Sequence, residues 1–146
     1  MKKLFQFIFL LIAALLSMTF NPRPVIAGDA GAAGLLHGTW TIVSKPVDTA
    51  GVQCPFIPDA IEFFKDGTLV MANMPGMHMP FKAELTAEEK TAFEKRPGLK
   101  GKKLLLVKPN PRMEWTSTPM VYVYEVGKNE LSLTVQGYDK ALFKRK

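Results

Sequence analysis

From Thr39 onward, apolar and polar residues alternate in short stretches separated by turn residues, the period-two pattern of strands with one buried face. Trp40, Ile42 and Ser44 alternate with Thr41 and Val43 in the first stretch. Ala60 to Lys65 and Thr68 to Met74 flank Asp66-Gly67, a dipeptide that signals a two-residue hairpin. Met120 to Val126 and Glu130 to Gln136 flank Gly127-Lys128-Asn129, which places Met120, Tyr122, Tyr124 and Val126 on one face and Leu131, Leu133 and Val135 on another. A last short strand is predicted around Ala141 to Lys144, and the apolar run inside Lys103 to Lys108 reads as a strand buried on both faces. One helix interrupts this pattern. Thr86-Ala87-Glu88-Glu89 forms a capping box, and the helix it starts should run to about Lys95 and stop at Pro97-Gly98. Its apolar residues, Ala87, Ala92 and Phe93, make a narrow stripe suited to covering an open end or edge. Short strands at a spacing of about ten residues with a single helix point to an antiparallel barrel or sandwich.

Gly38-Thr39-Trp40 at the first strand, just after Leu35-Leu36, resembles the Gly-x-Trp signature of lipocalins and the broader calycin group. Residues 61–68 (Ile-Glu-Phe-Phe-Lys-Asp-Gly-Thr) and 124–133 (Tyr-Glu-Val-Gly-Lys-Asn-Glu-Leu-Ser-Leu) are similar to stretches of small bacterial exported lipocalin-like domains. The family's second signature, Thr-Asp-Tyr, is absent. The resemblance covers most of residues 35–146 and implies a mainly β fold: a single antiparallel lipocalin-like barrel of about seven or eight short strands with one helix near residues 86–95. It further implies that Gly38, Trp40 and Arg145 form a structural signature, with the tryptophan across the closed end of the barrel against an arginine near the C-terminus.

The front of the chain differs from the rest. Met1-Lys2-Lys3 is a positive start, Leu4 to Leu16 is apolar except for Gln6, and Asn21-Pro22 and Val25-Ile26-Ala27 follow. This is the order of a secretory signal, with cleavage expected after Ala27 and Ala30 as the alternative. An uncleaved anchor is the other reading, because Leu4 to Phe20 sits at the lower edge of what crosses a hydrocarbon layer of about 30 Å. Residues 1–27 are therefore assigned to a signal peptide that meets the membrane transiently, residues 28–34 to a flexible glycine-rich lead-in, and residues 35–146 to the barrel, which does not itself span a membrane. The expected location is exported, in the periplasm or outside a bacterial cell.

Composition changes the picture less than it first suggests. The 146 residues carry 19 Lys+Arg against 13 Asp+Glu, a formal charge of +6, but residues 1–27 hold Lys2, Lys3 and Arg23 and no acid, so half of that excess sits there. Lys95, Arg96, Lys100, Lys102 and Lys103 crowd one stretch, which suits phosphate or anionic lipid but reads first as a solvated rim; no aromatic platform interleaves with them, and no nucleic-acid partner is expected. Cys54 is the sole cysteine, so no internal disulfide forms, and its place among Pro55 and Pro58 suggests a buried, inert thiol in a loop.

The remaining anomaly is the stretch 71–80, which holds Met71, Met74, Met77 and Met79 beside His78. If Pro75-Gly76 were a two-residue turn, Met74 would oppose Met77, Ala72 would oppose Met79 and Val70 would oppose Phe81 on one face, with Met71, Asn73 and His78 on the other. A methionine stripe of this kind lines a core or an adaptable cavity. Thioether sulfurs also suit soft ions, and the segment resembles Met-Pro-Gly-Met stretches of some periplasmic copper-handling proteins.

With two His, one Cys and scattered carboxylates, no catalytic triad, acid pair or three-ligand zinc pattern can be assembled, and an enzyme is the least supported class. The sequence therefore points to a non-enzymatic, cofactor-free protein that binds a small apolar or amphipathic ligand in a barrel cavity lined by Met74, Met77, Met79, Phe81, Tyr122 and Tyr124. The alternative is a Cu(I) or Ag(I) binder using Met74, Met77 and Met79, with Met71 or His78 joining if the turn opens. A filled-core interaction domain is the third.

Overall fold

A computed structural model describes residues 31–116 and 118–146. The signal peptide expected at residues 1–27 and the first part of the lead-in lie outside the described residues. Within them the chain forms α1 (Ala32–Leu36), β1 (Gly38–Ser44), β2 (Ala60–Phe63), β3 (Thr68–Met71), β4 (Met79–Lys82), α2 (Ala87–Glu94), β5 (Leu104–Val107), β6 (Met120–Val126), β7 (Glu130–Thr134) and β8 (Lys140–Arg145). Every strand pairs antiparallel with its sequence neighbour, and β8 pairs back onto β1, closing an eight-stranded up-and-down barrel of the lipocalin-like kind. Closure removes the exposed edges that an open sheet would leave.

Alternation along each strand fills the interior. Trp40, Ile61, Phe63, Leu69, Met71, Met79, Leu105, Val107, Tyr122, Tyr124, Leu131, Leu133, Ala141 and Phe143 are all buried in one cluster. In a barrel of eight strands such side chains are enough to fill the lumen. The run Leu104–Val107 is buried at all four positions, as its continuous apolar sequence predicts. Leu105 and Val107 face the lumen, while Leu104 and Leu106 join Phe93 and Leu99 in a second cluster on the outer wall, with Val121, Val123, Leu85 and Trp115 at its border.

That second cluster corrects the placement of the helix. The capping box forms as expected, with Thr86 Oγ1 accepting from the Glu89 amide at 3.2 Å and Glu89 Oε2 accepting from the Thr86 amide at 2.9 Å. The helix does not plug an end, however. Phe93 lays it against the outside of β5 and β6, because those strands present apolar residues on both faces and need a cover.

Three further local differences have physical causes. The Asp66-Gly67 hairpin is not a two-residue turn. Only Gly67 has positive φ, at 82°, and Phe64 accepts from the Gly67 amide, so Lys65, Asp66 and Gly67 make a three-residue loop that ends in a left-handed glycine. The stretch Gly31 to Gly34, expected as lead-in, is partly taken up by α1, whose short turn is fastened by side chains of β1 and β8 described below. The third is the register of β3 and β4, where Leu69 opposes Met79 and Thr68 opposes Pro80, three positions away from the expected Val70–Phe81 pairing. Pro75-Gly76 does not close a tight turn; residues 72–78 form a wider loop, and Met71 points inward where Val70 was expected.

Candidate functional site

The barrel has two unlike ends. β1 leaves from the end that also holds the β2–β3, β4–β5 and β6–β7 connections and the C-terminus; the opposite end holds residues 45–59, 72–78, 108–119 and 135–139.

The first end is closed by the signature residues. Trp40 is fully buried, and its Nε1 donates to the Leu36 carbonyl at 2.6 Å. Arg145, its cross-strand partner, lies over the indole with the guanidinium carbon 4.3 Å from the ring centroid. The same guanidinium donates to the carbonyls of His37 at 2.5 Å, Leu35 at 2.6 Å and Lys128 at 2.8 Å. One side chain thus ties α1, β1 and the β6–β7 turn together. Gly38 makes this possible: its φ is 114°, and a Cβ there would stand 2.9 Å from an Arg145 nitrogen.

Midway along the lumen the expected ligand-lining residues mostly serve as filling. Met79, Tyr122 and Tyr124 are buried, and Phe81, half-buried, meets Phe63 edge to face at 5.1 Å between centroids. The Tyr124 hydroxyl reaches the Ala83 carbonyl at 3.5 Å. Burial pushes both tyrosine phenols above their ordinary pKa, so they stay neutral donors at any physiological pH.

The second end is stoppered by the loop of residues 45–59. Cys54 and Ile57 are buried in the main cluster, as the loop setting of the cysteine predicts, while Phe56 beside them is 53% exposed. The loop is held mainly to itself: Asp48 Oδ1 accepts from the amides of Ala50 and Val52, and Cys54 donates to the Pro46 carbonyl at 3.0 Å. An exposed Lys45–Asp59 pair closes its base, and its ties to the rest of the barrel include the Tyr122 hydroxyl on the Phe56 carbonyl at 3.1 Å, the Asp139 amide on Val47 at 3.1 Å and the Ile42 amide on Asp59 at 2.8 Å. Between this loop and β6 lies an open groove of about 200 Å³, lined by Phe56, Met120, Val121, Tyr122 and Val135 and nearly devoid of polar surface.

The methionine stretch sits at the same end, but the register regroups it. Met71 and Met79 are buried, Met74 packs against their cluster from the loop, and Met77 is 45% exposed. Successive turns, with the Met74 amide on Met71 and the Met77 amide on Met74, explain why Met77 is thrown outward. His78 stands outside, with its Nδ1 3.3 Å from the Thr68 hydroxyl and its ring 5.1 Å from that of Phe64. Among the described residues no three His, Cys, Asp or Glu side chains converge on a common point.

Sequence reasoning missed Phe56 and Val135 as mouth residues and the loop 45–59 as a stopper. The available signal was apolar content inside a proline-punctuated loop, Cys54-Pro55-Phe56-Ile57-Pro58, where a solvated loop would be polar. Comparison of the chain with family models, with curated proteins and with solved structures returns no match.

Proposed function

We propose that this chain is an exported, non-enzymatic lipocalin-like binding protein that takes a small apolar or amphipathic ligand at the mouth of the barrel, between the Phe56 loop and β6. The observation that carries the reading is the groove itself: apolar lining, an exposed phenylalanine at its rim and a single hydroxyl, that of Tyr122, within reach as a polar anchor. Its size sets the scale. Ligand pockets usually enclose roughly 300–1,000 Å³. A groove of about 200 Å³ accepts a ring or a short alkyl chain as it stands, and a larger molecule once the loop of residues 45–59 lifts. The positive, apolar and small-residue order of the N-terminal segment supports export.

The test is titration of the protein with 1-anilinonaphthalene-8-sulfonate and with decanoate. Saturable uptake is expected, weakened by about tenfold or more in Phe56→Asp, since a buried phenylalanine is worth about 1.5–3 kcal/mol. Absence of uptake, or uptake unchanged by both Phe56→Asp and Val135→Asp, rejects the reading.

The second reading, Cu(I) or Ag(I) binding, is favoured by one observation: Met71 and Met79 are buried in the lumen cluster and Met74 packs against it. The ligand set it calls for is these three, rather than the trio with Met77. Titration with Cu(I) against a competing chelator decides it. Uptake lost in the variant Met71→Leu/Met74→Leu/Met79→Leu supports the metal site, and no uptake, or uptake insensitive to these changes, rejects it.

A further inference from the structure

We infer that the closed end of the barrel docks on an anionic lipid surface. The inference rests on how charge is divided between the two ends and not on the ligand reading above. The connection from α2 to β5 carries Lys95, Arg96, Lys100, Lys102 and Lys103, all exposed, and Lys65 and Lys128 sit in the two neighbouring turns of the same end. Some carboxylates of this end are engaged: Glu89 with Lys82 Nζ at 2.6 Å, Glu94 with the Gly101 amide at 3.2 Å, and Asp66 with the amide and hydroxyl of Thr68. Of these only Glu89 is paired with a cation; Asp66, Glu84, Glu88, Glu94 and Glu130 keep their charge, and five carboxylates do not balance the seven cations. At the mouth the ratio reverses, with Lys45, Lys108 and Arg112 against Asp48, Asp59, Glu114 and Asp139.

A basic face on one end of a small barrel attracts any polyanion. What selects a bilayer is where the chain enters. Residues 1–30, with the apolar run from Leu4 to Leu16, join the fold at Gly31, directly before α1, and α1 is fastened to the closed end by Trp40 and Arg145. Kept as an anchor, that run holds the basic end next to the headgroups. Juxtamembrane lysines and arginines gain from anionic headgroups, and the gain is screened by salt. The orientation also has a consequence for the mouth: docked this way, its apolar groove faces the aqueous phase, away from the lipid.

The test uses the full chain with vesicles of phosphatidylcholine, alone or mixed with phosphatidylglycerol. The apolar N-terminal run partitions into both, so the readout is the ratio between them. Enrichment of about tenfold or more on the anionic vesicles at low salt is expected, falling toward unity at high salt and in Lys100→Glu/Lys102→Glu/Lys103→Glu. Amide hydrogen exchange on the vesicle-bound protein gives a second readout that needs no variant: protection at residues 95–103 and 127–129, with 72–78 and 108–119 unprotected. An equal partition between the two vesicles, protection at the mouth in place of the closed end, or capture by heparin without anionic-lipid enrichment each overturns the proposal.

Discussion

The two ends of this barrel are sealed by different physics. At the closed end one guanidinium spends its donors on three backbone carbonyls and lies on a buried indole, so the seal is directional and charge-assisted. At the mouth the seal is an apolar stopper, Cys54 and Ile57, carried on a loop whose hydrogen bonds are mostly internal. Removing the first leaves buried polar groups without partners, whereas displacing the second breaks a few hydrogen bonds at the mouth and exposes mainly apolar surface that a ligand can cover again. This contrast predicts opening at the mouth before the closed end.

Breaking the closed end should give the largest effects. Trp40→Ala empties the centre of the seal and should cost about 3–5 kcal/mol in chemical unfolding. Arg145→Ala leaves the Leu35, His37 and Lys128 carbonyls unpaired and should cost about 2–3 kcal/mol, with Arg145→Lys recovering only part because an ammonium cannot span three acceptors and also stack. Gly38→Ala should cost about 1–3 kcal/mol, since its backbone lies at a φ that L side chains avoid and the new Cβ meets Arg145. A cost at Gly38 equal in the wild type and in Arg145→Ala would show that backbone strain alone is responsible.

A smaller effect separates the helix cover from both ends. The hydrogen bond from Lys82, together with that from the Thr86 amide, holds the Glu89 carboxyl below its ordinary range of 4.5. Because the folded state lowers this pKa, the stabilisation is complete above about pH 4.5 and is lost as pH falls through the folded value. Thermal unfolding followed from pH 6 to pH 3 should therefore show an acid slope that is shallower in Glu89→Gln, and Thr86→Ala should cost about 1 kcal/mol at pH 7. The smallest change on stability is expected at Phe56: replaced by Ser, it should change the unfolding free energy by less than about 0.5 kcal/mol while weakening ligand uptake, because the side chain is exposed.

The same division explains what could be read from sequence. Strand existence, the β5 run and the capping box follow from periods or caps confined to a few residues, and the Trp40–Arg145 pair is implied by the lipocalin resemblance. The register of β3 and β4 does not, because the stretch between Met71 and Met79 contains Pro75-Gly76, which suggests a tight turn, while Pro80 cannot donate to the ladder and the pairing settles three positions away. Nor does the position of α2 follow, since the residues that receive it, Leu104, Leu106, Val121 and Val123, are distant in sequence and read equally well as interior. The mouth was the least legible part, because its stopper is tertiary: a loop becomes a lid only by what lies under it.

Native-state hydrogen exchange tests the contrast between the ends most directly. The account predicts that the amides of Val52 and Cys54 exchange through a local opening far below the global unfolding free energy and become protected when decanoate is added, while amides of β1, β7 and β8 exchange only on global unfolding in both conditions. Protection of Val52 and Cys54 at the global level without ligand, and unchanged by it, would contradict the account.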